Sequence, residues 1–396
     1  MSGDAPAGDG GPIVVRPIVV RPIVIRTGHI VSLSMFEVAF SIDLVAAEAL
    51  WTRHSAGRTA RSRLSGTLPK AMAFGVPPLA ISLEPVTIEL DGVPMDVAMT
   101  ARLHDFGVVS LALRIPVSNL AWPEFETLLN ALDRAVGART EPAAAERTRM
   151  WGRVLDQLRT VMGPAMSRPF ASPLEEDYLF AVVHAFEQPM DAAGVLSRID
   201  LVPLLSGERR ALSEGARQDI LRQRFSYYTD DLVVLTWDRA FIFEPRGDSD
   251  VTDVLEIANA QLLEMRYYDE LLDDELPRMY ALVEGTRRGL NVFAARRYAT
   301  LARRLTTLVA EVTELTEKVD NALQVTEDVY LARIYASALD LFRVRLVSAA
   351  VERKLSIIRD TYAALYNEAS GARSEALEVA IVVLIVIELV LALLRH

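Results

Sequence analysis

Residues 377–394 read LEVAIVVLIVIELVLALL, eighteen residues of which sixteen are apolar, with Glu378 near the start and Glu388 in the interior. As a helix rising 1.5 Å per residue the stretch is about 27 Å long, close to the ~30 Å hydrocarbon thickness of a bilayer. The run has no helical periodicity, and a helix apolar on every side suits lipid or complete burial. Only Arg395 and His396 follow it. The expectation is a C-terminal transmembrane helix over 375–396 that holds the rest of the chain to a membrane by its tail. The alternative is the apolar end of a buried or coiled-coil helix. A carboxyl at the depth of Glu388 is costly and usually faces other protein. One span per chain encloses no pathway, so Glu378 and Glu388 read as membrane or oligomer contacts, with Glu388 hydrogen-bonded across a homo-oligomer. The rival is a small ion-conducting oligomer centred on Glu388.

Composition narrows the function classes. A net charge of −11 over 396 residues argues against non-specific nucleic-acid binding, and no direct sequence-specific contact with nucleic acid is expected. The chain has no cysteine, which removes disulfides, thiol catalysis and cysteine metal sites. Basic residues are nearly all arginine; Lys70, Lys318 and Lys354 are the only lysines. The N-terminus, MSGDAPAGDGG, is acidic and glycine-rich and has neither a signal-peptide pattern nor a transit-peptide one. The body is therefore expected on the cytoplasmic side.

Five segments follow from the patterning. Residues 1–26 carry three pentads, Pro12-Ile-Val-Val-Arg16, Pro17-Ile-Val-Val-Arg21 and Pro22-Ile-Val-Ile-Arg26. A proline every five residues forbids a helix or a central strand, so a disordered or extended tail is expected. Residues 27–250 read as an α+β head domain with a mixed or antiparallel sheet. Strand-like runs fall at 35–42, 79–89, 108–115, 178–186, 232–235 and 240–243, the last two forming a hairpin around Thr236-Trp237-Asp238-Arg239. Helices are expected at 123–136, 143–162 and 208–224. A connecting helix covers 251–289, with Leu255, Leu262, Leu272, Leu276 and Met279 on one stripe. Residues 290–374 read as an antiparallel helical hairpin or coiled coil. Its first arm has the seam Leu301, Leu305, Leu308, Val312, Leu315 and Val319. Thr326-Glu327-Asp328 starts its second arm. One uninterrupted helix is the alternative, and the span over 375–396 closes the chain.

Catalytic grammar is missing. No phosphate loop, GxGxxG, HExxH or GxSxG occurs, and the five histidines form no i, i+4 pair. No cofactor, catalytic residue or metal ligand is therefore assigned. Asp269 and Asp273 share a helix face in a dense acidic run, so a hard cation could bridge them and serve a divalent-cation-dependent hydrolase. Arg266 supplies a bland partner for that face instead. Arg296, Arg297, Arg303 and Arg304 recur at seven-residue spacing as a basic stripe. In the hairpin they lie within roughly 35 Å of the membrane surface, where anionic headgroups favour them.

Several phrases resemble the Rmd/YagE ("required for meiotic nuclear division") family. They are Leu204-Leu205-Ser-Gly-Glu208, Phe225-Ser-Tyr-Tyr228, the run from Asp230 to Trp237, and Glu378 with Glu388 in the terminal run. The most specific is Asn259-x-Gln261-x-x-Glu264-x-Arg266-Tyr267-Tyr268-Asp269. The likeness covers about 200–396 and is looser over 27–120. It implies a non-enzymatic, membrane-anchored scaffold with a C-terminal coiled coil and span. Eukaryotic relatives are mitochondrial inner-membrane proteins that support translation by tethering ribosomes. The absent transit peptide makes this chain resemble a bacterial-type member. The expectation is thus a homo-oligomeric tether at the bacterial inner membrane, single-pass and mostly cytoplasmic, holding an unidentified, ribosome-associated protein partner.

Overall fold

A computed structural model of the chain describes residues 22–54, 77–137, 141–170, 174–247, 250–287 and 329–394, with single positions between 303 and 313. The strands are β1 (Val24–Glu37), β2 (Ala39–Ile42), β3 (Leu79–Ser82), β4 (Val86–Leu90), β5 (Val93–Leu103), β6 (Val108–Ala121), β7 (Met166–Pro169), β8 (Glu175–Phe186), β9 (Gln223–Phe225), β10 (Leu232–Leu235) and β11 (Arg239–Phe243). The helices are α1 (Leu44–His54), α2 (Trp122–Val136), α3 (Glu141–Met162), α4 (Ala192–Arg198), α5 (Val202–Ser206), α6 (Glu214–Ile220), α7 (Val251–Arg287), α8 (Val329–Leu341) and α9 (Val344–Leu394). A nine-stranded sheet runs β3-β5-β6-β1-β8-β11-β10-β9, with β4 paired to β5 beside that path. Every pair is antiparallel except β8 with β11. The α+β head with a mixed sheet is what the patterning predicts.

Strand β1 is the spine, paired along its length with β6 on one side and β8 on the other. Its polar residues hide it in the sequence: Ser32 and Ser34 are buried at 5% and 0% exposure, inside a strand expected only from residue 35. Gly28 is needed for close approach, because an added Cβ would meet Val182 O at 2.5 Å. The third pentad feeds directly into this strand. Pro22 stands just outside the ladder, so it removes no sheet hydrogen bond, and Ile25 is fully buried. The earlier pentads lie outside the described residues.

Period-2 alternation gives each strand two faces. Ile30 and Phe36 of β1 point to the side covered by α1, α2, α3 and α5, where Trp51, Phe125, Leu132, Trp151 and Leu158 complete the core. Leu33 and Met35 point to the opposite side, covered by α7, α8 and α9 with Leu255, Leu263, Ile334, Val351 and Ile358. Strand β5 escapes a reading based on apolar runs because Asp96, Thr100 and Arg102 alternate outward from its core residues. Its hairpin with β4 turns at Asp91-Gly92, both at positive φ, the expected chemistry for a tight two-residue connection. The helix expected over 208–224 is only α6, seven residues long.

The helical arm departs from its expected outline. Residues 288–302 and 314–328, with the proposed reversal, lie outside the described residues, as does every seam position but Val312, which is buried at 1% exposure. The second arm breaks between α8 and α9, where Arg343 takes φ 58. Both pieces pack on α7.

The terminal stretch requires a correction. Helix α9 continues through it to Leu394, yet among the described residues no helix is long and apolar enough to cross a membrane. The transmembrane helix, the tail anchor, the membrane as partner and the single-pass inner-membrane placement are therefore not upheld. Glu388 lies inside the apolar run and is exposed on α9.

Gly107 offers a test of the fold. It sits at φ +95, and an added Cβ would stand 1.8 Å from Ala39 O. Gly107→Ala is expected to lose at least the ~1–3 kcal/mol typical of forced backbone strain. Gly152→Ala, in α3 with nothing within 4 Å, should cost nothing in the same urea unfolding experiment.

Candidate functional site

The side of the sheet that faces α7 is the unusual one. Strands turn mainly aliphatic residues toward α2, but toward α7 they present buried charge. Arg102 of β5 donates from Nη1 to Asp253 Oδ1 (2.5 Å) and to Glu256 Oε2 (2.7 Å), both on the first turns of α7. His104 Nε2 stands 3.6 Å from Glu256 Oε1 and 3.4 Å from the Ser110 hydroxyl. Burial pushes the Glu256 carboxyl up, but the Arg102 charge, with His104 and Ser110 close by, outweighs it and holds the group down to about 2. For Asp253 burial wins over Arg102, and its carboxyl lies above the usual range.

A second group lies further along α7. Tyr268 Oη donates to Glu264 Oε1 at 3.0 Å, and these residues are 2% and 0% exposed. Glu37, at the end of β1 on the same face as Met35, is 2% exposed, and its Oε2 has no hydrogen-bond partner among the described residues. Burial pushes the Glu37 carboxyl up to about 8. Burial, then the Glu264 and Glu37 charges, raises the Tyr268 phenol, which stays protonated. At the other end of the face Arg114 Nη2 donates to His29 Nδ1 at 3.1 Å. Burial, with Arg114 and His184 nearby, holds His29 down to about 3 and therefore neutral.

The α7 phrase singled out in the sequence maps onto this layer and onto its outer neighbours. Asn259 Nδ2 donates to Leu255 O within the helix (2.9 Å), and Gln261 Oε1 accepts from Tyr335 of α8 (2.7 Å). Arg266 pairs with Glu176 of β8, and Tyr267 stacks on Phe170 with ring centroids 4.6 Å apart. Asp269 and Asp273 each place a carboxylate oxygen 2.7 Å from Lys354 Nζ of α9. An ammonium therefore occupies the position a bridging cation would need. No cluster of three or more histidine or acidic residues able to hold a metal occurs among the described residues. The phrase clamps helix to sheet and helix to helix.

Other candidates are not brought together with it. Arg303 is exposed on a helix, while Arg296, Arg297 and Arg304 lie outside the described residues. Glu378 and Glu388 are exposed on α9. Sequence reasoning missed Glu37, Arg102, His104, Asp253 and Glu256. The available signal was the spacing of Glu256, Ala260, Glu264 and Tyr268 in steps of four, a polar-tolerant row on a helix that is otherwise apolar on that side.

Residues 27–250 match the family model described as "Uncharacterized protein MJ0711, N-terminal domain". The chain belongs to this family. The matched range ends one residue before α7 begins, so it covers the sheet and its α2-side helices. A relative, the uncharacterized protein MJ0711 of Methanocaldococcus jannaschii, is 26% identical over 194 residues, which span 49% of this chain and 58% of that protein. The matched part thus covers little more than half of the relative's length. No solved structure matches.

Glu37 provides a pH test of this layer. Between its ordinary 4.5 and about 8, the folded chain keeps a proton that the unfolded chain has lost. Its contribution is full below 4.5 and fades as pH rises through about 8. Glu37→Gln should make the protein more stable than the parent at about pH 9 and flatten the decline from about pH 5, read by urea unfolding.

Proposed function

We propose that the chain is a non-enzymatic scaffold in which the sheet domain engages a protein partner and the helical arm joins copies of the chain. The observation that carries this reading is the far end of α9. The helix is 51 residues long, about 77 Å at 1.5 Å per residue. Its near part is fastened to α7 by buried Val351, Leu355 and Ile358 and by Lys354. Its far part exposes Ile381, Leu384, Ile387 and Leu391 at 49–64%. A contiguous apolar surface of this kind marks an interaction site. The run is apolar on every side and suits burial among further copies of the same helix. Glu388 lies inside this apolar surface as a polar residue able to set register.

The phrases similar to the Rmd/YagE family support the same reading, and membership of that family as a bacterial-type protein with a ribosome-associated partner is its finer form. The hydrolase reading has less behind it, since both carboxylates it needs already share Lys354. An ion path through Glu388 has no further polar residue in 381–391 to continue it.

Light scattering on the full chain tests self-association. The parent should elute at a multiple of 43.8 kDa, and Leu384→Arg with Leu391→Arg should elute as the monomer with unchanged helix content. A monomeric parent, or a variant of unchanged mass, would rule the proposal out.

A further inference from the structure

The α2 side of the sheet opens beside the start of β11 into a cavity of about 540 Å³. Arg239 forms its floor. The residue is 5% exposed, and its guanidinium is fixed by Nη1 donating to Asn130 Oδ1 (2.7 Å) and Leu204 O (2.8 Å) and by Nη2 donating to Asp133 Oδ2 (2.5 Å). Gly207, the left-handed cap of α5, lies directly on that group: at φ +67, an added Cβ would stand 2.6 Å from a guanidinium nitrogen. Arg134 closes one wall, its Nη2 donating to both carboxylate oxygens of Asp91 (2.8 and 2.9 Å). These two arginines are committed to acids. The rim carries two more, Arg209 and Arg210, consecutive and exposed, and neither has a hydrogen-bond or ion-pair partner among the described residues. In a chain of net charge −11, the cavity gathers four guanidinium groups against Asp91, Asp133 and Glu208.

We infer that this cavity binds a phosphate monoester, its phosphate held by Arg209 and Arg210 above the fixed Arg239 guanidinium. The planar fork of arginine matches phosphate oxygens two at a time, and two free forks supply more donors than a carboxylate can accept. The Asp91–Arg134 pair separates the cavity from a groove of about 770 Å³. That groove has a mixed lining, with Ile88, Met99 and Val154 at its base and Glu84, Thr87 and Gln157 beside them, and offers a seat for the organic part of the ester. This inference concerns the face opposite α7 and stands apart from self-association.

Calorimetric titration of the full chain with phenyl phosphate tests it. The parent should show saturable one-site binding. Arg209→Ala with Arg210→Ala should weaken binding about tenfold or more without moving the unfolding midpoint, since both side chains are exposed. Arg222→Ala with Arg224→Ala, which removes the same charge from exposed positions outside the cavity, should leave affinity unchanged. Absence of saturable binding by the parent would overturn the inference. So would unchanged affinity in the first pair, or an equal loss in the second.

Discussion

The guanidinium of Arg102, held between Asp253 and Glu256, is the contact on which the α7 side of the molecule depends. A buried ion pair adds little net stability over a well-packed apolar contact, because desolvation offsets the attraction. Removing one partner is different and costs ~3–5 kcal/mol by stranding the other. The practical consequence is specificity of placement. An apolar helix could slide or rotate on an apolar sheet, whereas α7 has one position in which both acids meet Arg102 and Glu256 also meets His104. Once α7 is placed, Gln261 receives Tyr335 of α8, and Asp269 and Asp273 receive Lys354 of α9. The arm is thus oriented by a chain of polar contacts that starts at the sheet.

The two faces of the sheet therefore do different work. The α2 face is filled mainly by close-packed aliphatic and aromatic side chains, with Arg239 as its one deeply buried cation among the described residues. The α7 face carries Glu37, Arg102, His104 and His29 beside its apolar residues. The family match covers the sheet and stops where α7 starts, so the shared unit includes Arg102 and His104 but not the acids that answer them.

Much of the fold was legible where one period dominates. The amphipathic α2 and α3 and the β10–β11 hairpin stand close to their predicted bounds. The failures have physical causes. Strand β1 carries buried serines and a histidine, so burial rather than hydropathy defines it. Strand β5 alternates polar and apolar residues, and its Asp91-Gly92 turn was the better signal. The terminal run reads as a span from its apolar content over a fixed length, whereas α9 is one helix from Val344 that carries the run as its last part. Of the site, the α7 phrase was visible as a phrase, but its roles were not. Arg102 lies 151 residues from Asp253, and no local pattern announces that meeting.

Hydrogen exchange of α7 in Arg102→Met, compared with the parent, tests this account most directly. If Arg102 sets the seat of α7, amides over 251–268 lose protection in the variant while those of β1 and β6 keep theirs. Equal protection of α7 in both proteins would contradict it.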